Sequence, residues 1–195
     1  MTNEISATPV AQEIVKKPHH LMIDLETLGK TCDSVILSIG AVAFDMDGKI
    51  GPKFEMFPRV DEQFAKRKIE WSTIQWWMSQ EQTARMTIAE ANRDHSLESC
   101  LGELSNFCKE NLDEKFKVWA NGSSFDTAML NHAYDQYGLE TPWTYRNQLD
   151  CRTIVYLSKI STKKYESSGT KHNAIDDCKW QISWTTEAFK ILRGY

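Results

Sequence analysis

The spacing of hydrophobic and polar positions changes period part-way along this chain. His20 to Thr27 (His-Leu-Met-Ile-Asp-Leu-Glu-Thr) sets Leu21, Met22, Ile23 and Leu25 in an almost unbroken apolar run. Such a run predicts a strand packed on both faces. Val35 to Phe44 predicts a second strand. Lys53 to Pro58 alternates and ends in proline, which predicts a third strand at a sheet edge. Asp45 to Lys49 joins the last two as a hairpin turn around Asp47-Gly48.

Helical spacing follows. Glu62 to Glu70 and Ser72 to Gln80 (with Ile74, Trp76, Trp77 and Met78) predict helical segments, the second capped by Ser72. Ser96 to Lys109 places Leu97, Cys100, Leu101, Leu104, Phe107 and Cys108 on a helical period, with Ser96 as cap. Lys117 to Ala120 predicts a fourth strand, and an Asn121-Gly122 turn leads into a helix from Ser124 to Tyr137, capped by Ser123 or Ser124. Asn147 to Cys151 predicts a short fifth strand, and Arg152 to Lys159 a short helix. Ser161 to Lys171 is polar and basic and predicts a mobile loop before a closing helix from Asn173 to Arg193. Three strands followed by alternating helices and strands imply an α/β fold with a mixed five-stranded sheet flanked by helices. Residues 1–18 predict a flexible tail, and residues 19–195 a single domain without internal repeats.

Composition narrows the class. The chain has 195 residues, 41% hydrophobic and 26% charged, with no apolar run near the roughly 20 residues of a membrane helix. A basic region followed by an apolar stretch is missing at the start, so no signal peptide is expected. The five cysteines (Cys32, Cys100, Cys108, Cys151, Cys178) have neither zinc-ligand spacing nor a C-x-x-C pair, which predicts reduced thiols and a cytoplasmic location. A net charge of −4 argues against binding nucleic acid by phosphate neutralisation alone. The seven tryptophans fit core packing, or stacking surfaces for bases.

The chemistry lies in acids placed where acids are costly. Asp24 and Glu26 are two residues apart on one strand, so they project from the same face. They fit a strand end in solvent, or a site for a hard divalent cation with oxygen ligands. Asp126 falls in the first turn of the helix after the fourth strand, at the sheet end where α/β proteins place ligands; an ordinary helix-dipole partner sits there too. On the closing helix Asp177, Gln181, Trp184, Ala188, Ile191 and Leu192 share one mostly apolar face, so Asp177 points inward. Asp176 belongs to a row with Lys179, Ser183, Glu187 and Lys190 that faces solvent. His172 precedes Asp177 by five residues at the edge of the basic loop.

Asp24-Leu-Glu26-Thr, Asn121-Gly-Ser-Ser-Phe-Asp126 and His172-Asn-Ala-Ile-Asp-Asp177 resemble, in order and spacing, the three motifs of the DnaQ-like, DEDDh-type 3′-5′ exonucleases. Trp76-Trp77 and Leu149-Asp-Cys-Arg-Thr153 look closest to stand-alone phage exodeoxyribonucleases of the exonuclease A type and to the exonuclease VIII catalytic domain. A mycobacterial-type exoribonuclease shares that subgroup, which leaves DNA or RNA open. The segment from Glu62 to Arg93 departs from the general pattern as an insertion.

The resemblance implies a ribonuclease H-like fold and two Mg²⁺ or Mn²⁺ ions. Asp24, Glu26, Asp126 and Asp177 would be the metal ligands and His172 the general base. The expected substrate is the 3′ end of single-stranded DNA, or of RNA. Thr27, Leu28, Phe125, Trp76 and Lys171 are candidate substrate contacts, and Lys163 and Lys164 fit either a phosphate site or a solvated loop. A silent nucleic-acid adaptor on this fold would be expected to have lost an acid or the histidine, and this chain keeps all five. Neither a G-x-S-x-G elbow nor a Walker-type phosphate loop is present, so a serine hydrolase and a nucleotide cofactor are not expected. Oligomeric state stays open, a homodimer included.

Overall fold

The computed structural model describes residues 17–90, 95–122, 124–165, 169 and 172–194. Five strands form one sheet in the order β3-β2-β1-β4-β5. These are β1 (His20–Thr27), β2 (Ile36–Phe44), β3 (Ile50–Met56), β4 (Lys117–Ala120) and β5 (Gln148–Asp150). The central β1 runs antiparallel to β2, from His20↔Phe44 to Thr27↔Ile36, and parallel to β4, from His20↔Lys117 to Met22↔Trp119. The β2–β3 hairpin closes through Gly48, whose N–H donates to the Asp45 carbonyl at 2.9 Å from a left-handed φ of 94°. The third strand therefore begins at Ile50, earlier than Lys53.

Among the described residues six helices flank the sheet: α1 (Trp71–Ser79), α2 (Gln82–Glu90), α3 (Leu97–Asn111), α4 (Asp126–Gln136), α5 (Cys151–Ser158) and α6 (Ala174–Arg193). Strand alternation divides the core. Leu21, Ile23 and Leu25 pack with Leu97, Leu101 and Leu104 of α3 and Met129 and Leu130 of α4. Met22, Val42 and Phe44 pack on the other face with Cys151 and Ile154 of α5 and Cys178, Ile182 and Trp184 of α6. A third, smaller cluster of Leu28, Val35, Leu37, Trp77 and Ala84 seats the α1–α2 hairpin beside the sheet. No helix among the described residues is long and apolar enough to cross a membrane.

Several local expectations are corrected. The stretch Glu62–Glu70 contributes only a 3₁₀ turn, Asp61–Gln63. Gln63 is fully buried, and its side-chain amide both accepts from the Ile36 N–H and donates to the Ile36 carbonyl, each at 2.9 Å. Arg67, flanked by two lysines, is buried as well, with Nε on the Ser34 carbonyl at 2.7 Å and Nη2 on the Cys32 carbonyl at 3.0 Å. Side chains committed to a neighbouring backbone hold this segment out of a helix. Helix α1 starts at Trp71 with Glu70 at its N-cap, so Ser72 is no cap; α4 starts at Asp126 with Phe125 as an N-cap that makes no side-chain bond, so Ser124 is none either. Ser123 lies outside the described residues.

Helix α2 was not anticipated at all. Ser96 does cap α3, accepting from the Ser99 N–H at 3.2 Å. On α6 the buried stripe runs through Gln181, Trp184 and Ala188, but Ile191 and Leu192 in the last turn are exposed. Of the expected tail, residues 1–16 lie outside the described residues, while Lys17 and Pro18 are bonded to the end of α3 and the segment after it.

Replacing Gln63 by Leu leaves the buried N–H and C=O of Ile36 unpaired. An unmet buried polar group costs about 1–3 kcal/mol, so Gln63→Leu is expected to lower unfolding free energy by about 2–4 kcal/mol in a denaturant titration. A loss below about 0.5 kcal/mol would show that the amide is not needed there.

Candidate active site

The two parallel strands set the site. The β1–β4 pairing stops at Met22↔Trp119, and the backbone N–H of Leu25 beyond it donates to Asp126 Oδ1 at 3.0 Å. The first residue of α4 thus completes a backbone bond at the open end of the sheet. Asp24 and Glu26 point to the α6 face, as strand alternation requires. Gly40, paired with Asp24 across β1 and β2, lets α6 come close: a Cβ there would lie 2.6 Å from Ala174 Cβ. That approach brings Gln181 Nε2 to Asp24 Oδ1 at 2.7 Å and sets Asp177 at the same end.

His172 arrives from the segment before α6. Its N–H donates to Asp177 Oδ2 at 3.1 Å, and its ring meets Trp76 edge-on with centroids 4.8 Å apart. Glu26, His172 and Asp177 each offer a ligand atom, all within 4.8 Å of one another. Asp24, Glu26, Asp126, His172 and Asp177 line one cleft of about 580 Å³, together with Thr27, Lys30, Trp76, Phe125 and Arg152 among others. Asp176 turns away and accepts from Lys179 Nζ at 2.7 Å.

Other expected contacts fall elsewhere. Leu28 is buried in the third cluster and does not line the cleft. Trp77 lines the cleft but is 1% exposed and donates from Nε1 to the Thr27 carbonyl at 2.9 Å, whereas Trp76 is 42% exposed. Lys163 and Lys164 form a separate 3₁₀ turn outside the cleft lining, and Lys171 lies outside the described residues. The sequence reading gave no role to Gln181 or to Arg152. Gln181 carried a signal, as a polar residue on an otherwise apolar helix stripe one turn after Asp177. Arg152, whose Nε donates to Asn121 Oδ1 at 3.3 Å, carried one only as part of the Leu149-Asp-Cys-Arg-Thr153 resemblance.

A model of the family described as the 3′-5′ exoribonuclease Rv2179c-like domain matches residues 19–189. The chain belongs to this family. It is 26% identical over 205 residues to the exodeoxyribonuclease of Enterobacteria phage T4, covering 89% of this chain and 90% of that protein. The nuclease domain of 3′hExo, a DEDDh family member bound to rAMP, is similar in structure, with a TM-score of 0.62 at 15% identity over 92% of this chain and 94% of that one. E. coli exonuclease I in complex with a dA16 oligonucleotide gives a TM-score of 0.62 at 13% identity, covering 86% of this chain and 40% of that one. The solved structures establish the ribonuclease H-like fold, and with the family match the protein is a DnaQ-like 3′-5′ exonuclease acting on nucleic acid.

Electrostatics in the exonuclease cleft run one way. Burial holds Asp24 well above the ordinary carboxylate range, reinforced by Asp126, Glu26 and Asp177 and opposed by the Gln181 bond. Burial and then Asp177 and Asp126 push Glu26 up to about 8. Burial raises Asp126 to about 7 against the Leu25 bond, and Asp177 to about 6 against the His172 bond. None of the four forms an ion pair among the described residues. Four crowded oxygen donors without a cation partner fit a hard divalent ion.

The folded acids bind protons that the unfolded chain, with carboxyl pKa values near 4, has already released. Stability of the metal-free exonuclease should therefore fall as pH rises from about 6.5 to 8, and a divalent cation should remove that fall. His20, lowered to about 4 by burial, has the opposite effect, which is mostly complete by the unfolded value of about 6.5 at the foot of this window. Melting temperatures in chelator and in Mn²⁺ across this range check the claim; a flat profile in chelator would overturn it.

Proposed function

We propose that the exonuclease releases 5′-mononucleotides stepwise from the 3′ end of single-stranded DNA. Asp24, Glu26, Asp126 and Asp177 hold two Mg²⁺ or Mn²⁺ ions in this reading, and His172 is the general base. The observation that carries it is the convergence of four carboxylates and one histidine at a single strand end. Two divalent ions held there would supply a clamp on the attacking and leaving oxygens of a phosphodiester displacement. The zinc-bound exonuclease I–ssDNA complex among the structural relatives is consistent with a divalent ion in such a fold.

The protein's own groups do the rest. Gln181 fixes one Asp24 oxygen, the Leu25 N–H fixes one Asp126 oxygen, and both carboxylates are thereby oriented before any ion arrives. His172, at the cleft with Glu26 and Asp177, takes a proton from the attacking water near neutral pH. The exposed face of Trp76 and the ring of Phe125 offer stacking for a terminal base, worth about 1–3 kcal/mol per base. Unpairing a duplex end costs a few kcal/mol, and a chain of net charge −4 gains little by wrapping a duplex backbone. Both favour a single strand.

The name of the phage T4 relative, aligned over nine-tenths of each chain, supports DNA. The description of the matching family as exoribonuclease favours RNA as the second reading. Matched 5′-labelled DNA and RNA strands with Mg²⁺ decide between them: a ladder shortening from the 3′ end of DNA, with slow RNA turnover, is expected. Equal cutting of a circular strand would overturn an exonucleolytic site altogether.

Asp24→Asn and Asp177→Asn should abolish cleavage while the fold persists, and Asp176→Asn should leave it intact. His172→Ala should cost roughly 10²–10⁴-fold in rate with divalent-ion affinity nearly unchanged. Normal turnover in Asp177→Asn, or a large loss of calorimetric Mn²⁺ binding in His172→Ala, would reassign those residues.

A further inference from the structure

Residues 71–90 build the α1–α2 hairpin, and its second helix is an odd one. Of the α2 residues whose burial is described, only Ala84 and Thr87 are buried, while Met86 and Ile88 face solvent. A threonine in a helix commonly turns its hydroxyl back to the carbonyl one turn earlier. Thr87 instead donates from Oγ1 to the carbonyl of His172 at 2.9 Å, across 85 residues of sequence.

That carbonyl belongs to a residue that needs holding. His172 has a φ of 62°, and with Lys159 it is one of two non-glycine residues in the left-handed region among those described. Such a conformation persists where surrounding contacts fix it. Its N–H is held by Asp177, its carbonyl by Thr87, and its ring by the edges of Trp76 at 4.8 Å and Trp77 at 6.0 Å. Trp77 is anchored in turn to the Thr27 carbonyl of β1. Apart from the Asp177 bond, these restraints come from the α1–α2 hairpin.

We propose that the hairpin presents His172 to the cleft and that Thr87 is its positioning residue. This rests on His172 acting as the base. Thr87 does not line the cleft; it acts through the histidine backbone.

The test is a double-mutant cycle on the full chain with a single-stranded DNA substrate and Mn²⁺. Thr87→Val keeps the shape and removes the hydroxyl. It should lower kcat about tenfold, the scale of one hydrogen bond of ordinary worth, with KM and calorimetric Mn²⁺ affinity unchanged. Thr87→Ser should restore kcat. In the His172→Ala background, Thr87→Val should have no further effect on rate. An equal fall in both backgrounds, or an unchanged kcat in Thr87→Val alone, would overturn the positioning role. Full activity of His172→Ala itself would instead remove the base assignment on which the proposal stands.

Discussion

The structure depends on a costly arrangement: carboxylates gathered at the end of the central strand of the sheet. Every named contribution that raises Asp24 is desolvation or another acid of the same cluster. A flexible frame would relax by letting the acids drift apart. Here β1 is central in the sheet, paired with β2 along its whole length and with β4 at its start, so Asp24 and Glu26 have no freedom to retreat. The repulsion is thus stored in the folded state, and a divalent cation is the species best suited to relieve it.

The other two acids reach that point from opposite sides of the sheet. Asp126 comes from α4, whose apolar residues pack with α3; Asp177 comes from α6 on the other face. They meet because the parallel strands β1 and β4 part company before their ends, leaving the Leu25 N–H for Asp126 to satisfy. On the α6 side, the small residue Gly40 beneath Ala174 sets how closely the helix approaches. One hydrogen bond and one missing side chain therefore fix the spacing of acids that lie as far as 153 residues apart in sequence.

What could be read from sequence followed from period and chemistry. The apolar run of β1, the helical stripe of α6 that turns Asp177 inward, and the order of the acids are all legible in the sequence. The insertion is not. Lys66-Arg67-Lys68 looks like a solvated basic run, yet Arg67 is buried because backbone carbonyls of Cys32 and Ser34 accept from it. Gln63 likewise substitutes for a strand partner, which no local pattern announces. Helix α2 escaped notice because it buries an alanine and a threonine rather than an apolar stripe. In each case the deciding partner is a backbone atom tens of residues away, and period analysis sees only neighbours.

Trp76 and Trp77 show why such a segment matters to the chemistry. Adjacent in sequence, they meet edge to face, with centroids 5.0 Å apart. Trp77 is sunk against β1, whereas Trp76 is partly open, lines the cleft and stands nearly perpendicular to the His172 ring. The same indole therefore borders both the space a terminal base would enter and the imidazole beside Glu26 and Asp177. In the proposed reading, a nucleobase stacked on it would press on the support of His172, and seating the substrate would steady the general base in the same packing event. The first helix of the hairpin walls the cleft on that side through Ser72, Thr73, Trp76 and Trp77.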